Sequence, residues 1–558
     1  MNAAKLARVR MLTKRLAESA AAIRQVATNP GLRRLELAWA GSMIGTWSYG
    51  IALLVYAYGA GGARAVGLVG FARWTAAALA APFTGVLGDR FPRARVMIAS
   101  DLVRAAALGI GAAAAFADLP LVVYLVSGVV AVTSTAFRPA QAALVPSLAR
   151  TPEELTAANV TATTIESVGI FAGPALGGLL LAVTSTGVVF LVTVGTFLWS
   201  AFLVLRIGRP AEPEAKAAPR EPIRAEVAAG FRTIATDRRV RLLVVLFSAQ
   251  TFVDGMLNVL VVVASLQLLG LGRAGVGFLN SAIGIGGLVG AAFAFGLVGR
   301  RRLASSFGVG IFVWGAPVAL IGIWPNAAAA LVLFGVVGIG NTLVDVTGMT
   351  LLQRAAPDEV LARVFGVLES LIVGSIGLGA AAAPALVAWL GPRGALVAAG
   401  SLLPAAVALS WRRLVAIDAA SVVPERAIDL LRAIPIFAPL PAVTLEHLAS
   451  RLTPVRLAAG EEVFRRGDRG DRFYVVAEGE IEIAPEGRPP SVHGPGSSFG
   501  EIALLRDVPR TATARAVTDG ELLALEPEDF VAAVTGHAPS REAADAVIAT
   551  RIGPLVPV

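Results

Sequence analysis

Twelve apolar stretches divide residues 37–416 of this chain, and each has close to the length that one membrane crossing requires. About 20 helical residues span the roughly 30 Å of hydrocarbon in a bilayer. Only 16% of the residues are charged, whereas soluble domains carry roughly 25%, so most of this surface is unsuited to water. The stretches fall at 37–59, 65–88, 96–117, 121–146, 158–184, 187–206, 242–269, 275–298, 303–324, 328–352, 360–390 and 394–416. The pattern predicts an all-α membrane bundle of about twelve transmembrane helices.

The positions of the arginines predict which side of the membrane each loop faces. Cytoplasmic loops are enriched in Lys and Arg. Alternate loops hold Arg90, Arg93 and Arg95, then the 206–241 connection, then residues 300–302, whereas the opposite loops hold only Arg64, Arg273 and Arg393. We therefore expect a multi-pass protein of the cell (inner) membrane with both termini in the cytoplasm.

The same patterns divide the chain into five segments. Their boundaries are 1–34 for a basic amphipathic helix without the apolar region of a signal peptide, 35–206 for a first six-helix half, 207–241 for a cytoplasmic linker, 242–416 for a second six-helix half, and 424–553 for a tail domain. The tail is predicted to be a small α+β domain, a β jelly-roll with flanking helices. An even number of spans returns the chain to the cytoplasm after residue 416, so we expect this domain to be cytosolic.

Charge and composition exclude several classes of partner and chemistry. Residues 1–423 hold 34 basic and 19 acidic residues, a net charge of +15, while residues 424–558 hold 14 and 20, a net charge of −6. An acidic soluble domain is not expected to bind nucleic acid. The absence of cysteine and the confinement of all three histidines to the tail argue against disulfides and a metal site. No pairing of a nucleophile with a base indicates an enzyme.

A short repeat supports two related halves. Residues 152–155 (Pro-Glu-Glu-Leu) recur as residues 357–360 (Pro-Asp-Glu-Val), 205 positions later. Each copy opens a glycine-bearing stretch, with Gly169 and Gly374 at matching positions. Parallel repeats joined by a polar loop are an organisation found in membrane transporters.

Three motifs resemble those of the major facilitator superfamily. Residues 85–95 (Gly-Val-Leu-Gly-Asp-Arg-Phe-Pro-Arg-Ala-Arg) resemble its signature loop, although Pro92 replaces the usual glycine; residues 138–141 resemble its Arg-x-x-Gln motif; and residues 169–178 resemble the motif associated with its antiporters. The resemblance implies a conformational latch at the cytoplasmic helix ends. We assign to it Gly85, Asp89, Arg90 and Arg93, supported by Asp101 and Arg104 one turn apart.

The resemblance also implies a secondary active transporter. We expect a proton-coupled exporter of hydrophobic or amphipathic small molecules, since relatives move drugs, siderophores or lysophospholipids. A lipid transporter or flippase is the alternative. Charged side chains inside membrane spans are costly and mark transport pathways. On that ground the candidates for transport or proton coupling are Arg138, Glu166, Asp254, Asp345 and Glu369.

The tail carries the most specific motif of the chain. Residues 499–513 (Phe-Gly-Glu-Ile-Ala-Leu-Leu-Arg-Asp-Val-Pro-Arg-Thr-Ala-Thr) closely resemble the phosphate-binding cassette of cyclic nucleotide-binding domains of the catabolite-activator and protein-kinase-A regulatory type. Amides from Gly500 onward can hold an anionic phosphate, and Arg510 can form charge-assisted bonds with it. The resemblance implies that Glu501 accepts a hydrogen bond from the ribose 2′-hydroxyl. The nucleotide-binding candidates are Gly500, Glu501, Ile502, Ala503, Arg510, Thr511 and Ala512.

The identity of the base and the role of the nucleotide stay open at this point. Thr511 is similar to the hydroxyl residue of cGMP-selective family members, yet bacterial relatives with such a residue are compatible with cAMP, which we favour as the regulatory ligand. Val547, Ile548 or Arg551 of the closing helices are candidates to cover the base. A cyclic-nucleotide-gated channel is the remaining rival, although no arginine-rich sensor helix is present. The expected partners are the lipid bilayer, an amphipathic substrate and a cyclic nucleotide, with the protein a monomer or a dimer.

Overall fold

The computed structural model describes residues 23–207, 231–294, 302–355, 358–420, 425–440 and 442–552. The predicted helix at 1–34 and the linker at 207–241 therefore lie largely outside the described residues. The chain divides into two compact units, and the boundary between them falls after Asp418. Each unit has its own hydrophobic core.

The first unit is helical throughout its described part. Ten described helices are long and apolar enough to cross a membrane. They are α1 (Pro30–Arg90), α2 (Arg93–Phe116), α3 (Pro120–Leu148), α4 (Pro152–Val183), α5 (Thr186–Leu205), α6 (Arg238–Val263), α7 (Gly272–Ala294), α8 (Leu303–Ile323), α9 (Ala327–Ala355) and α10 (Asp358–Ala420). A π-helical turn, Ala264–Leu268, extends α6.

Two of these helices are interrupted at glycines. The 61-residue α1 breaks at Gly61 and Gly62, and the 63-residue α10 breaks at Gly391. Gly62 has φ 64° and Gly391 has φ 67°, a left-handed conformation that glycine adopts without steric cost. At 1.5 Å per residue an unbroken helix of this length would reach about 90 Å, roughly three times the hydrocarbon thickness. Both breaks fall in the gaps between adjacent predicted stretches.

Small residues bring α4 close against α7. A Cβ atom on Gly277 of α7 would lie 2.5 Å from the Cα atom of Gly178 on α4, so neither position has room for a side chain. Ser281 Oγ donates to the carbonyl oxygen of Phe171, 2.9 Å away, across the same contact. Close glycine contacts of this kind are a common way for membrane helices to associate. The motif at residues 169–178 is therefore a helix-packing surface.

The N-terminus of α8 is capped by a residue from the end of α10. Asp418 accepts hydrogen bonds from the backbone amides of Ala304 and Ser305, each at 2.8 Å, and from Ser305 Oγ at 2.5 Å. Carboxylates are favoured at helix N-termini, where amide groups lack partners. Arg302, the residue that precedes α8, supplies no side-chain cap of its own. One carboxylate thus joins the last turns of α10 to the first turn of α8.

The second unit is a β-sandwich flanked by helices. Two four-stranded antiparallel sheets have the orders β1-β8-β3-β6 and β2-β7-β4-β5. The elements are α11 (Glu425–Ala433), α12 (Ala442–Arg451), β1 (Thr453–Leu457), β2 (Glu462–Phe464), β3 (Phe473–Glu478), β4 (Ile481–Pro485), β5 (Ser491–His493), β6 (Ser498–Phe499), α13 (Glu501–Arg506), β7 (Ala512–Ala516), β8 (Gly520–Leu525), α14 (Pro527–Thr535) and α15 (Ala538–Ile552).

Aromatic side chains join the flanking helices to the sandwich. Phe473 of β3 stacks on Phe530 of α14 with ring centroids 4.5 Å apart, and Phe437 meets both rings edge-on. All three rings are fully buried, and each buries a large apolar area. A second cluster, with Leu457 and Phe499, fills the space between the sheets. These two cores make the second unit a domain that can fold on its own.

Candidate functional site

A left-handed glycine shapes the segment between β6 and β7. Gly500 has φ 94°, and a Cβ atom there would lie 2.8 Å from Arg510 Nη1. Only glycine meets both demands. The chain then forms the short helix α13, turns at Asp507 with φ 52°, and enters β7 after Arg510. The turn therefore folds Arg510 back against the start of α13.

Arg510 is buried and held from several directions. Its Nη1 donates to Gly500 O at 3.1 Å, and its Nη2 donates to Asp471 Oδ1 at 2.8 Å and to Arg472 O at 2.7 Å. The guanidinium carbon lies 4.1 Å from the centroid of the Phe464 ring. Only 1% of the side chain is exposed. Its Nε atom is buried without a hydrogen-bond partner in the described part of the chain.

Glu501 is equally buried and pairs with the last helix. Its Oε1 atom accepts from Arg551 Nη1 at 2.7 Å, whereas its Oε2 atom has no partner within the described ranges. The carbonyl oxygen of Arg551 accepts from Arg488 Nη1 at 2.9 Å. Arg488 thereby binds the C-terminal end of α15, where cations are favoured. Two arginines thus fasten α15 over this site.

These groups surround a cavity of about 320 Å³. The lining includes every one of the seven nucleotide-binding candidates: Gly500, Glu501, Ile502, Ala503, Arg510, Thr511 and Ala512. Of the three residues considered for covering the base, Arg551 lines the cavity, while Ile548 is buried and Val547 lies against the helical core. The sequence reasoning missed the rest of the lining, formed by Phe464, Ile483, Pro485, Arg488, Pro489, Ser491, His493 and Phe499.

Two polar residues of β5 belong to this part of the lining. Ser491 and His493 are two positions apart on β5, so their side chains share one face of the strand. Ser491 Oγ lies 2.9 Å from His493 Nε2. Burial, together with the positive charge of Arg551, lowers the pKa of His493 below its ordinary value of 6.5. The imidazole is therefore neutral at physiological pH.

The unpaired atoms in this cavity fit an anionic ligand that carries a hydroxyl group. Buried polar atoms are almost always hydrogen-bonded in native proteins. Arg510 Nε is a donor without an acceptor, and Glu501 Oε2 is an acceptor without a donor. A phosphate oxygen would satisfy the first and a ribose hydroxyl the second.

The latch residues in the membrane unit are only partly described. The side chains of Asp89 and Arg90 and the surroundings of Gly85 lie outside what the structure describes. Arg93 Nη1 donates to Ala143 O at 2.8 Å and so ties the start of α2 to α3. Asp101 and Arg104 form a buried ion pair, and the Arg104 guanidinium stands 4.7 Å from the Phe137 ring and 4.3 Å from the Phe197 ring.

The transport candidates fall into separate groups. Arg138 and Glu166 form an ion pair between α3 and α4, with a distance of 2.9 Å and side chains that are 65% and 29% exposed. Glu369 is exposed on α10. Asp254 on α6 and Asp345 on α9 are close enough for their charges to interact. Asp345 Oδ2 accepts from Asn341 Nδ2 at 2.9 Å, and Asn341 Oδ1 accepts from Gln250 and Trp314. Asp345 therefore belongs to a hydrogen-bonded polar cluster with Asn341, Gln250 and Trp314.

Glu36, near the start of α1, is a buried acid that the sequence reasoning missed. It is 2% exposed, its Oε1 atom lies 3.5 Å from Gln141 Nε2, and its Oε2 atom has no partner among the described residues. It follows Arg33 and Arg34 in the sequence and lies directly before the first predicted apolar stretch at 37–59. A group of three or more residues suited to hold a metal ion is not found in the described parts of the chain.

Comparisons with known proteins assign each unit to a family. The sequence profile of the Major Facilitator Superfamily matches residues 37–372. The profile of the cyclic nucleotide-binding domain matches residues 454–537.

Curated relatives match over short segments. A putative potassium channel protein of Rhodopseudomonas palustris is 38% identical over 109 residues, which is 19% of this chain and 26% of that protein. A cAMP-dependent protein kinase regulatory subunit of Eremothecium gossypii is 44% identical over 70 residues, 12% of this chain and 15% of that protein. The chain thus spans about a quarter or less of the length of these two relatives.

Two solved structures illustrate the structural matches. The regulatory domain of Toxoplasma gondii PKA with cAMP is 25% identical, with 24% of this chain and 52% of that chain covered and a TM-score of 0.21. The Thermus thermophilus catabolite activator protein is 32% identical, with 21% and 58% covered and a TM-score of 0.19.

Proposed function

The chain belongs to the Major Facilitator Superfamily, and we propose that it is a secondary active transporter regulated by a cytosolic cyclic nucleotide. The observation that carries this proposal is a cavity with two unsatisfied buried groups, Arg510 Nε and Glu501 Oε2, in the same chain as a transporter-family helix bundle. Both families bind or move their ligands rather than transform them. The bundle crosses the inner membrane twelve times, with α1 and α10 each contributing two crossings, and both termini are cytoplasmic.

In the nucleotide site, Arg510 and Glu501 have distinct roles. The Arg510 guanidinium binds the cyclic phosphate through a charge-assisted bond, and Asp471 keeps its orientation. Glu501 accepts from the ribose 2′-hydroxyl, which distinguishes a ribonucleotide from a deoxyribonucleotide. The walls on β4 and β5 hold the purine base. The ligand is cAMP in preference to cGMP.

In the membrane unit, acids that can exchange a proton are the basis of coupling. Opposite charge favours the ionised form of an acid, whereas burial disfavours it. Glu166 has a cation partner in Arg138, while the described neighbours of Asp345 are Asn341 and Asp254. A change of conformation that alters these surroundings moves protons. The substrate is a hydrophobic or amphipathic small molecule that is exported.

Regulation is tested by transport in vesicles that contain the full chain. Ethidium serves as an amphipathic probe and a fluorescent lysophospholipid as a lipid probe, each measured with and without saturating cAMP. A ligand can shift a transporter only through different affinities for its conformations. Arg510→Ala should weaken cAMP binding by roughly 10- to 150-fold, since a bond to a charged group contributes about 1.5–3 kcal/mol, and should abolish the cAMP effect.

The matched control is Arg515→Ala. Arg515 lies on the neighbouring strand β7 and pairs with Glu462 at 2.7 Å, outside the cavity. The Arg515→Ala variant should bind cAMP and respond to the nucleotide as the unmodified chain does. Identical rates with and without cAMP, in an unmodified chain shown to bind it, would reject regulation of transport.

Coupling is tested with an imposed pH gradient. The gradient should drive ethidium export in the unmodified chain, and Asp254→Asn or Glu166→Gln should abolish that dependence. Transport of the lysophospholipid without any influence of the gradient would instead favour a lipid-translocating activity.

A further inference from the structure

The purine base must lie in the part of the nucleotide cavity that the phosphate and the ribose do not occupy. Arg510 and Gly500 occupy the end where the phosphate binds, and Glu501 marks the ribose. Among the other lining residues, β4, β5, the turn between them and the last helix contribute Ile483, Pro485, Arg488, Pro489, Ser491, His493 and Arg551. A base placed against this wall meets three apolar and four polar side chains.

Three of these four polar side chains already have a partner that accounts for their position. Arg551 pairs with Glu501, Arg488 donates to the carbonyl oxygen of Arg551, and Ser491 is hydrogen-bonded to His493. The His493 ring uses only Nε2 for that bond, and its Nδ1 atom has no hydrogen bond to any other part of the chain that the structure describes. His493 thus presents to the cavity a ring nitrogen without a hydrogen-bond partner in the part of the chain that the structure describes.

We infer that His493, oriented by Ser491, reads the edge of the base and makes the site select cAMP over cGMP. This inference rests on the proposed binding of a cyclic nucleotide. Burial and the nearby Arg551 guanidinium keep the ring neutral. In the neutral tautomer that donates from Nε2 to Ser491 Oγ, the Nδ1 atom keeps a lone pair, and this is the tautomer that the inference requires.

That lone pair discriminates between the two purines. The six-position of adenine carries an amino group, a donor, whereas the six-position of guanine carries an oxygen, an acceptor. An acceptor on the protein binds the first and opposes the second. A site that hydrogen-bonds one substrate rejects an analogue that leaves its polar group unpaired. His493 thereby adds selectivity that Thr511, another residue of the cavity lining, does not need to supply.

The test measures the dissociation constants of cAMP and cGMP for the full chain in lipid nanodiscs, by competition with a fluorescent cyclic nucleotide. His493→Leu should weaken cAMP binding by roughly 3- to 10-fold, the effect of one hydrogen bond, and leave cGMP binding unchanged. Ser491→Ala should give a smaller change in the same direction because the ring loses its orientation. Ser491 is exposed, so this second variant is expected to fold.

His447→Leu is the matched control, since His447 lies exposed on α12 and does not line the cavity. It should leave both dissociation constants unchanged. Equal weakening of cAMP and cGMP by His493→Leu would show a packing role and overturn the inference while leaving nucleotide binding intact. Binding of neither nucleotide by the unmodified chain would overturn the proposed nucleotide site itself.

Discussion

Arg551 Nη1 lies 2.7 Å from Glu501 Oε1, so a residue at the end of α15 neutralises the buried acid that we assign to the ribose. The pair joins positions that are 50 residues apart. It also makes the charge of Glu501 tolerable in a site where only 1% of its side chain is exposed. One ion pair therefore links the position of α15 to the residue that we expect to bind the ribose.

Arg551→Gln should destabilise the tail more strongly without nucleotide than with it. Breaking a fully buried pair costs about 3–5 kcal/mol. Because Arg551 is 30% exposed, we expect the free energy of unfolding of the tail to fall by about 1–2 kcal/mol. A ribose hydroxyl can partly replace the lost partner of Glu501, so saturating cAMP should reduce the difference. Chemical denaturation of isolated residues 425–552 measures both values.

Arg541→Gln is the control for this prediction, because Arg541 is exposed on the same helix and its Nη2 atom donates to the Thr535 carbonyl oxygen rather than to Glu501. It should have little effect in either state. An equal loss for Arg551→Gln with and without cAMP would mean that the pair stabilises the helix without reporting on the ligand.

The stability of the tail should fall as the pH is lowered through the range of His493. Burial and Arg551 lower the pKa of His493 from 6.5, so the folded state resists protonation more than the unfolded chain does. The unfolded chain therefore binds a proton at His493 at a higher pH than the folded domain does. The domain keeps its full stability above the pKa of the unfolded chain and loses stability as the pH falls below that pKa. Arg551 on α15 acts on the ring directly, and the other charged side chains that line the same cavity are Arg488 in the β4–β5 turn, Glu501 on α13 and Arg510.

The measurement compares the free energy of unfolding of residues 425–552 at pH 7.5 and pH 5.5, a window above the ordinary range of the carboxylates. His493→Leu should flatten the change, whereas His447→Leu should retain it. A pH profile that is the same for the unmodified tail and for His493→Leu would assign the effect to other groups.

Gly277→Ala should disturb the contact between α4 and α7. The new Cβ atom would lie 2.5 Å from Gly178 Cα, and overpacking of this kind costs about 1–3 kcal/mol. We expect a lower thermal unfolding temperature of the chain in detergent and slower ethidium transport in vesicles. Gly287→Ala on the same helix is the matched control, because its Cβ atom would meet Thr342 Oγ1 at an ordinary 3.5 Å. Equal stability of the two variants would contradict the tight contact.

Asp418→Ala should weaken the start of α8. Loss of a helix cap costs about 0.5–2 kcal/mol, and we expect the upper half of that range because three hydrogen bonds are lost. Amide hydrogen exchange of Ala304 and Ser305 should become faster. Asp237→Ala, which removes the cap of α6, should lower stability without changing exchange at these two amides.

Features that depend on residues close together in the sequence could be predicted from it. Hydropathy located the helices because a span is a local property of about 20 residues. The glycine, acid and arginine of the cassette lie within eleven positions of one another, so they could be recognised together. The roles of Asp471 and Arg551 could not be predicted, since their contacts to Arg510 and Glu501 form only when separate strands and helices close.

Other features gave a weak signal or an ambiguous one. Glu36 lies in a run with two arginines, and its burial depends on the packing of α1 against Gln141 of α3. Asp254 and Asp345 were singled out separately because each is an acid within an apolar stretch. Their proximity depends on the packing of α6 and α9, which the sequence pattern does not encode. His493 gave no pattern at all, because one histidine on a short strand is ordinary.

The cap supplied by Asp418 affects how the tail can be removed in an experiment. A chain cut at Arg413, three residues before the last apolar stretch ends, would lose the nucleotide domain and also expose the first amides of α8. Any fall in activity would then have two causes. A chain cut after Ala420 keeps the carboxylate and removes the domain alone. The last turn of α10 is thus an integral part of the membrane unit, and the separable module begins only beyond it.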